Sequence, residues 1–241
     1  MKLVEFGLDL IYIANEDKIA LIMDENSIER QETTRQDYAQ NWKWKRRDFS
    51  NQTRCITALF SRLFGYIKTD DCWKILVECV DEVCDSSIIN ISGVCTVQVE
   101  SDYEAFMTLD EFGKKKTALE LLMTGIRLVA AKQNWDMMPF ERTYEGILGL
   151  KYVNEWIWNK PIKNSKKNAV ACIFIQHNVY QVFISIIIND KAGNELIRKR
   201  IITETPNEWS YAAHLGEIKW IDDNTAALIN KKKDKSWALS L

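Results

Sequence analysis

The sequence predicts an α+β fold with helices mainly in the N-terminal two-thirds and an antiparallel β meander in the C-terminal third. Three observations carry this. A capped helical pattern occupies the centre of the chain. The runs AVACIFI, QVFISIII and ELIRKRIIT follow it, joined by the tight turns QHNV and NDKAGN. No repeating β-α-β alternation appears, and neither do internal repeats or low-complexity tracts. The predicted organisation is a mixed region over 1–160 and an antiparallel β region over 161–241, possible also as one continuous domain.

Taken in order, Val4, Phe6, Leu8, Leu10 and Tyr12 alternate, and IALIMD follows the turn-like NEDK, so two strands are expected within the first 24 residues. Residues 25–50 are polar and carry no clear period. From Asn51, Cys55, Ile56, Leu59, Phe60 and Leu63 share a helical face that ends at Gly65, where a positive φ suits a C-terminal cap. A second helix is expected over about 70–85, with Cys72, Leu76, Cys79, Val80 and Val83 inward. SGVCTVQVE then reads as a strand.

Thr108 and Glu111 fit a capping box with Met107 stapled onto Phe112, predicting a long helix from Leu109 to about Asn134. Pro139 suits the first turn of another helix, expected to reach Trp158 before Asn159 and Pro161 stop it. Gly146 and Gly149 lie within that span and would allow a close neighbour. After KPIKNSKKN come the three strands named above, over 169–176, 179–188 and 194–203. EIKWI and AALIN flank the DDNT turn, and WALSL is placed to close the sheet.

Composition excludes several classes. A chain of 241 residues, 46% hydrophobic and 27% charged, is globular in character. No run approaches the roughly 18 apolar residues of a membrane span, and MKLVEFGLDL carries Glu5 and Asp9 where a signal peptide would be apolar. The six cysteines lack any CxxC pair and sit mostly among apolar neighbours, the pattern of reduced core thiols in a cytoplasmic protein. Nine glycines form no phosphate-cradling loop, and no His or Cys pair has metal-ligand spacing, so neither cofactor nor metal is expected. Of the two histidines, His177 falls in a predicted hairpin turn and His214 has no nucleophile motif beside it. Asp222 and Asp223 in WIDDNTAAL read as turn residues. No catalytic residue is assigned, and the chain is read as a non-enzyme.

Charge is the informative feature. Residues 35–54 hold six cations and two acids, centred on NWKWKRRDF with Lys43, Lys45, Arg46 and Arg47. Cations interleaved with tryptophans can track a nucleic-acid backbone and stack on bases. As an extended segment, though, the stretch would place Trp42 and Trp44 on one side and Lys43 and Lys45 on the other, as in a half-buried strand. The whole chain has net charge −2, so nucleic acid is not the favoured partner. Residues 69–85 hold six acids and one lysine, and 98–111 add five acids without a cation. On the expected helix, Asp71, Glu78, Glu82 and Asp85 fall within about 60° of one another with Asp81 beside them, an acidic stripe suited to steering a basic partner.

From about Tyr103 the sequence DYEAFMTLDEFGKKKTALELLMTGIRLVAAKQNWD, then a tryptophan-bearing segment, AVACIFIQHNVYQVFISIIINDKAGNELIRKRI and EIKWIDDNTAAL, resembles bacterial immunity proteins encoded beside polymorphic or contact-dependent toxins. The resemblance covers a little over half the chain, rests on layout and transfers no functional residue. It implies a cytoplasmic, non-enzymatic protein that binds and neutralises a toxin domain. The expectation is therefore an immunity-type inhibitor holding a basic toxin through Asp71, Glu78, Asp81, Glu82 and Asp85. Two alternatives stay open: an enzyme with carboxylate-based chemistry, and a nucleic-acid-binding accessory protein using Lys43, Lys45, Arg46 and Arg47.

Overall fold

The computed structural model describes residues 1–26 and 29–241, and its contacts divide the chain into two compact units, Met1–Tyr152 and Val153–Leu241. The fold class is α+β, helices early and antiparallel sheet late, as expected.

Unit 1 begins with β1 (Lys2–Leu3) and β2 (Glu5–Leu10), followed by α1 (Glu16–Asn26), α2 (Arg30–Asp37), one π-helical turn (Tyr38–Trp42) and α3 (Lys43–Phe64). IALIMD is thus helical where a strand was expected. Asn15 caps it by accepting the Lys18 N–H at 3.0 Å, Glu16 and Asp17 occupy the first turn, and Ile19 alone of its apolar residues is fully buried. The stretch 41–49 is helical too and continues into the predicted helix at 51–64, so the half-buried strand is replaced. Gly65 ends α3 with φ 70°, as its position suggested.

The chain continues through β3 (Ile67–Lys68), β4 (Lys74–Val80), β5 (Ile89–Ile91) and β6 (Val94–Glu100). The expected helix at 70–85 is corrected to β4 and an irregular segment after it. Both periods were present in this sequence, but Ile75, Val77 and Cys79 are the buried set, and they alternate. Pairing decided the matter: β4 lies between β2 and β6, parallel to both, in the order β2-β4-β6-β5. One face, built from Phe6, Leu8, Leu10, Ile75, Val77, Cys79, Cys95, Val97 and Val99, is buried.

That face meets α5 (Glu111–Gln133), which follows α4 (Tyr103–Thr108). The cap of α5 is Asp110, whose Oδ1 accepts the Gly113 N–H at 2.7 Å, in place of the expected Thr108. A side chain at Gly125 would sit 2.2 Å from Val77 Cγ2, so the glycine is what lets α5 lie this close to β4. Next, α6 (Met138–Gly149) starts with Pro139 as predicted but stops nine residues short of Trp158. Tyr152 N–H reaches Ile147 O at 3.1 Å and Lys151 N–H reaches Leu148 O at 2.9 Å, a Schellman closure made with positive φ at both residues and without glycine.

Unit 2 contains β7 (Glu155–Lys163), β8 (Ala169–His177), β9 (Val182–Asp190), β10 (Glu195–Glu204), the short α7 (Glu208–Tyr211), β11 (Glu217–Trp220), β12 (Thr225–Ile229) and β13 (Ser236–Ser240). The three predicted strands form the expected antiparallel meander, with β7 added where a helix was expected, in the order β10-β9-β8-β7. WALSL pairs with β12 in a separate three-stranded sheet and does not close the larger one. The two sheets share a core that includes Ile173, Ile175, Ile184, Ile186 and Ile188 with Ile218, Leu228 and Leu239. Both edges of the larger sheet are blunted by irregular pairing, at Asn159–Pro161 in β7 and at two register shifts in the charged strand β10, which discourages pairing with another chain.

Candidate functional site

α3 covers the free edge of β2. Its Ser61 Oγ accepts the Phe6 N–H at 3.3 Å, and Phe60 and Phe64 pack edge-on against the Phe6 ring at 4.8 and 4.9 Å. With its apolar side committed there, α3 turns Lys43, Arg46, Arg47, Ser50 and Arg54 toward the second face of the sheet. Period-two alternation places Gly7, Asp9, Lys74 and Leu76 on that face. Together they enclose a groove of about 770 Å³ lined by five cations (Lys43, Arg46, Arg47, Arg54, Lys74) and one acid, Asp9, with Tyr38 and the half-exposed Trp44 in the wall.

The cations of the groove are held differently. Arg46 grips Asp9 through two N–H donors, with Nε to Oδ1 at 2.7 Å, and this hydrogen bond holds its pKa well above the ordinary range. Lys74 Nζ lies 3.0 Å from Glu5 Oε1, and Arg47 Nε 3.6 Å from its neighbour Asp48. Arg54 donates to Thr57 Oγ1 at 3.5 Å. Of the sequence-predicted basic patch, Lys43, Arg46 and Arg47 line this groove, while Lys45 points to the other side of the helix.

The acidic stripe on a helix does not form, because β4 is a strand. Asp71 precedes β4, whereas Asp81, Glu82 and Asp85 follow it at the opposite end. Glu78 lies on the polar face beside Asp9 and Gln98, its register partners. Burial, and then the Asp9 charge, push its carboxyl pKa up, partly countered by Arg46 and a hydrogen bond from Gln98. Gln98 Oε1 also accepts the Cys84 and Asp85 N–H groups at 3.1 Å each, tying the segment after β4 to β6.

Parallel pairing instead joins the two acidic segments that were separate in sequence. Val80 is opposite Glu100, and Ser101 N–H reaches Val80 O at 2.7 Å. The C-terminal ends of β4 and β6 therefore bring Asp81 to Glu100, Asp102 and Glu104 around a second pocket of about 450 Å³, completed by Trp42, Lys45 and Tyr103. Asp102 also caps α4, accepting the Ala105 N–H at 2.9 Å. Lys45 Nζ is 2.7 Å from Glu104 Oε1 and lies over the Tyr103, Trp42 and Trp44 rings at 5.1, 5.8 and 5.8 Å from their centroids. Tyr103 is 6% exposed, and burial pushes its phenol pKa up, followed by the Glu104 and Asp48 charges.

Both histidines belong to unit 2, and neither lines either pocket. His177 closes β8 fully buried, with Nε2 3.3 Å from Pro206 O, which corrects its expected place in a turn. His214 Nε2 is 2.9 Å from Glu204 Oε1. Asp222 accepts the Asn224 and Thr225 N–H groups at 2.8 Å each, the turn role read from the sequence. The six cysteines are free thiols, five of them buried. Among the described residues no helix is long and apolar enough to cross a membrane, and no group of three side chains is arranged to hold a metal ion.

Asp9, Lys74 and Tyr103 were missed as site residues. The matching alternation of residues 5, 7, 9 with 74, 76, 78 was the available signal for the first two; nothing local marked Tyr103. Comparison with protein-family models, with curated proteins and with solved structures finds no match to this chain.

Proposed function

We propose that this protein is a non-enzymatic binding protein that neutralises a protein partner, an inhibitor of the immunity type, with its contact surface on unit 1. The observation that carries this is the bipolar surface at the start of α3. Within one helical turn, Lys43, Arg46 and Arg47 face a groove with five cations and one acid, and Lys45 faces a pocket with four acids. Opposite charges this close favour a partner carrying both signs in the matching order and reject one carrying a single sign. A nucleic-acid strand following the groove past Lys45 would meet Asp81, Glu100, Asp102 and Glu104. The layout resemblance from Tyr103 onward supports the same reading, with a basic patch of a toxin domain on the acidic pocket.

The test is coexpression with the product of each adjacent gene. One of them is expected to arrest growth alone, to be neutralised by this protein and to copurify with it, with an association rate that falls as salt rises. Paired reversals Asp81→Lys with Glu104→Lys should slow association at least tenfold, as should Arg47→Glu with Arg54→Glu. Absence of a complex with either product, or a complex indifferent to both reversals, would overturn the proposal.

A further inference from the structure

Lys43, Arg47, Ser50, Arg54 and Thr57 follow one another along α3 at steps of three or four residues, so they stand in one ridge, and all five line the groove of about 770 Å³. Every member of that ridge is a cation or a hydroxyl. The sheet opposite supplies Lys74, and beside it lies Gly7, a buried glycine in the middle of β2. Glycine weakens a strand and is found where something approaches the backbone closely. A Cβ here would stand 3.2 Å from Leu76 Cδ1 and 3.6 Å from Lys74 Cε, so its absence deepens the floor between those two side chains.

The charge of the groove exceeds what the chain itself answers. Its one acid, Asp9, is already gripped by two donors of Arg46. Lys43 and Arg47 make no hydrogen bond to a carboxylate among the described residues, Asp48 Oδ1 standing 3.6 Å from Arg47 Nε. A carboxylate, with a single charge, leaves most of such a surplus unmatched. A phosphate carries up to about two charges, and a guanidinium fork meets its oxygens in pairs. The volume falls within the range of small-ligand sites, about 300–1,000 Å³, and Trp44, 45% exposed, adds a ring face to the wall. A polynucleotide is disfavoured, because beyond Lys45 it would meet the acids of the second pocket. We infer that the groove is a binding site for a nucleoside triphosphate, its phosphates among Lys43, Arg47, Arg54 and Lys74 and its base against Trp44.

This inference goes beyond the partner-binding reading and is tested on the full-length chain alone. Titration calorimetry with ATP, GTP, CTP and UTP is expected to find at least one that binds at a single site with a Kd of about 1 mM or below. Lys43→Gln with Arg47→Gln, both exposed, should weaken that nucleotide at least tenfold while the urea midpoint stays in place. Lys231→Gln with Lys232→Gln, which removes the same charge from an exposed turn of unit 2, should change its affinity less than twofold. Trp44→Ala should weaken the nucleotide at least threefold and leave inorganic tripolyphosphate unchanged.

Two further ligands separate the alternatives. The site is overturned if hexaglutamate binds as tightly as the best triphosphate, which would make the groove a seat for protein carboxylates, or if oligouridine binds more tightly than UTP, which would make it a strand-binding surface. It is overturned equally if no triphosphate binds, if the two paired lysine and arginine substitutions weaken binding alike, or if Trp44→Ala weakens tripolyphosphate as much as the nucleotide. Should an adjacent gene product be neutralised while no nucleotide binds, the nucleotide site falls and the partner-binding function stands. Should a nucleotide bind while no adjacent product does, the reverse holds.

Discussion

Unit 2 keeps its apolar residues between two sheets, whereas unit 1 buries one face of its sheet and leaves the other lined with charge. In the sheet of unit 2, neighbours in space are neighbours in sequence, joined by turns of a few residues. In unit 1, β2 and β4 are parallel partners separated by more than sixty residues of mostly helical chain, and β4 and β6 are parallel partners across an irregular segment. Antiparallel hairpins settle their register locally, while parallel pairs are settled by long-range contacts. Parallel order also gathers the C-terminal strand ends on one side, which is where the acidic pocket forms, in keeping with the tendency of such sheets to bind there. The difference teaches that the part easiest to read has its register set by local turns, and that the part hardest to read is where strand order gathers charges distant in sequence around shared pockets.

The largest effect expected from breaking either unit lies in the core of unit 2. Ile186→Ala removes a fully buried side chain between the two sheets and should cost about 4 kcal/mol, transfer and cavity together. Urea unfolding measures it, and a loss under about 1 kcal/mol would mean the face is not packed as described. The counterpart in unit 1 is Gly125→Ala, whose new methyl would collide with Val77. It should destabilise by about 3 kcal/mol through overpacking, although alanine is the better helix former. A stabilised variant would show that α5 does not rest directly on β4.

The third prediction concerns the charged network of unit 1. Asp37 is almost fully buried and accepts from Tyr12 Oη at 2.7 Å, Asn41 Nδ2 at 2.7 Å and Lys18 Nζ at 3.1 Å. Burial alone would raise its pKa, but these hydrogen bonds outweigh it and hold the carboxyl below its ordinary value. A lowered folded pKa contributes stability that is fully present above the unfolded value, about 3.9, and is lost as pH falls through the folded value. Asp37→Asn should therefore cost about 2 kcal/mol at pH 7, with the gap to wild type closing below about pH 4. A gap that stays constant to pH 2.5 would refute the assignment. The smallest effect belongs to the exposed pair Glu195 and Arg198 on the edge of unit 2. Removing it with Glu195→Gln should leave the urea midpoint unchanged, since exposed pairs contribute little.

Much of unit 2 was legible because Ile173, Ile175, Ile184, Ile186 and Ile188 alternate between turns too short for a crossover. The fourth strand, β7, was lost because the left-handed residues that close α6 are Lys151 and Tyr152, not glycines, while Gly149 is still helical, so no left-handed glycine marked the stop before Trp156. In unit 1, IALIMD and the segment around Glu78 each carried two competing periods, and the wrong one was chosen in both. The NWKWKRRDF stretch was recognised as unusual, yet its helical state, and with it the division of its cations between two pockets, was not visible locally.

By itself the sequence determined the fold class, the start of α6 at Pro139, the end of α3 at Gly65, the C-terminal meander and the presence of opposite charge clusters. These follow from local backbone preferences and from apolar periods that single segments satisfy alone. Tertiary structure decided that residues 74–80 are a strand, because only pairing between β2 and β6 could bury Ile75, Val77 and Cys79 while leaving Glu78 beside Asp9. It also decided which acids meet: Asp81 and Glu104 are 23 positions apart, and only the parallel register of β4 with β6 places them around one pocket. Charge can be counted along a chain, but its arrangement is fixed by strand order, which long-range packing selects.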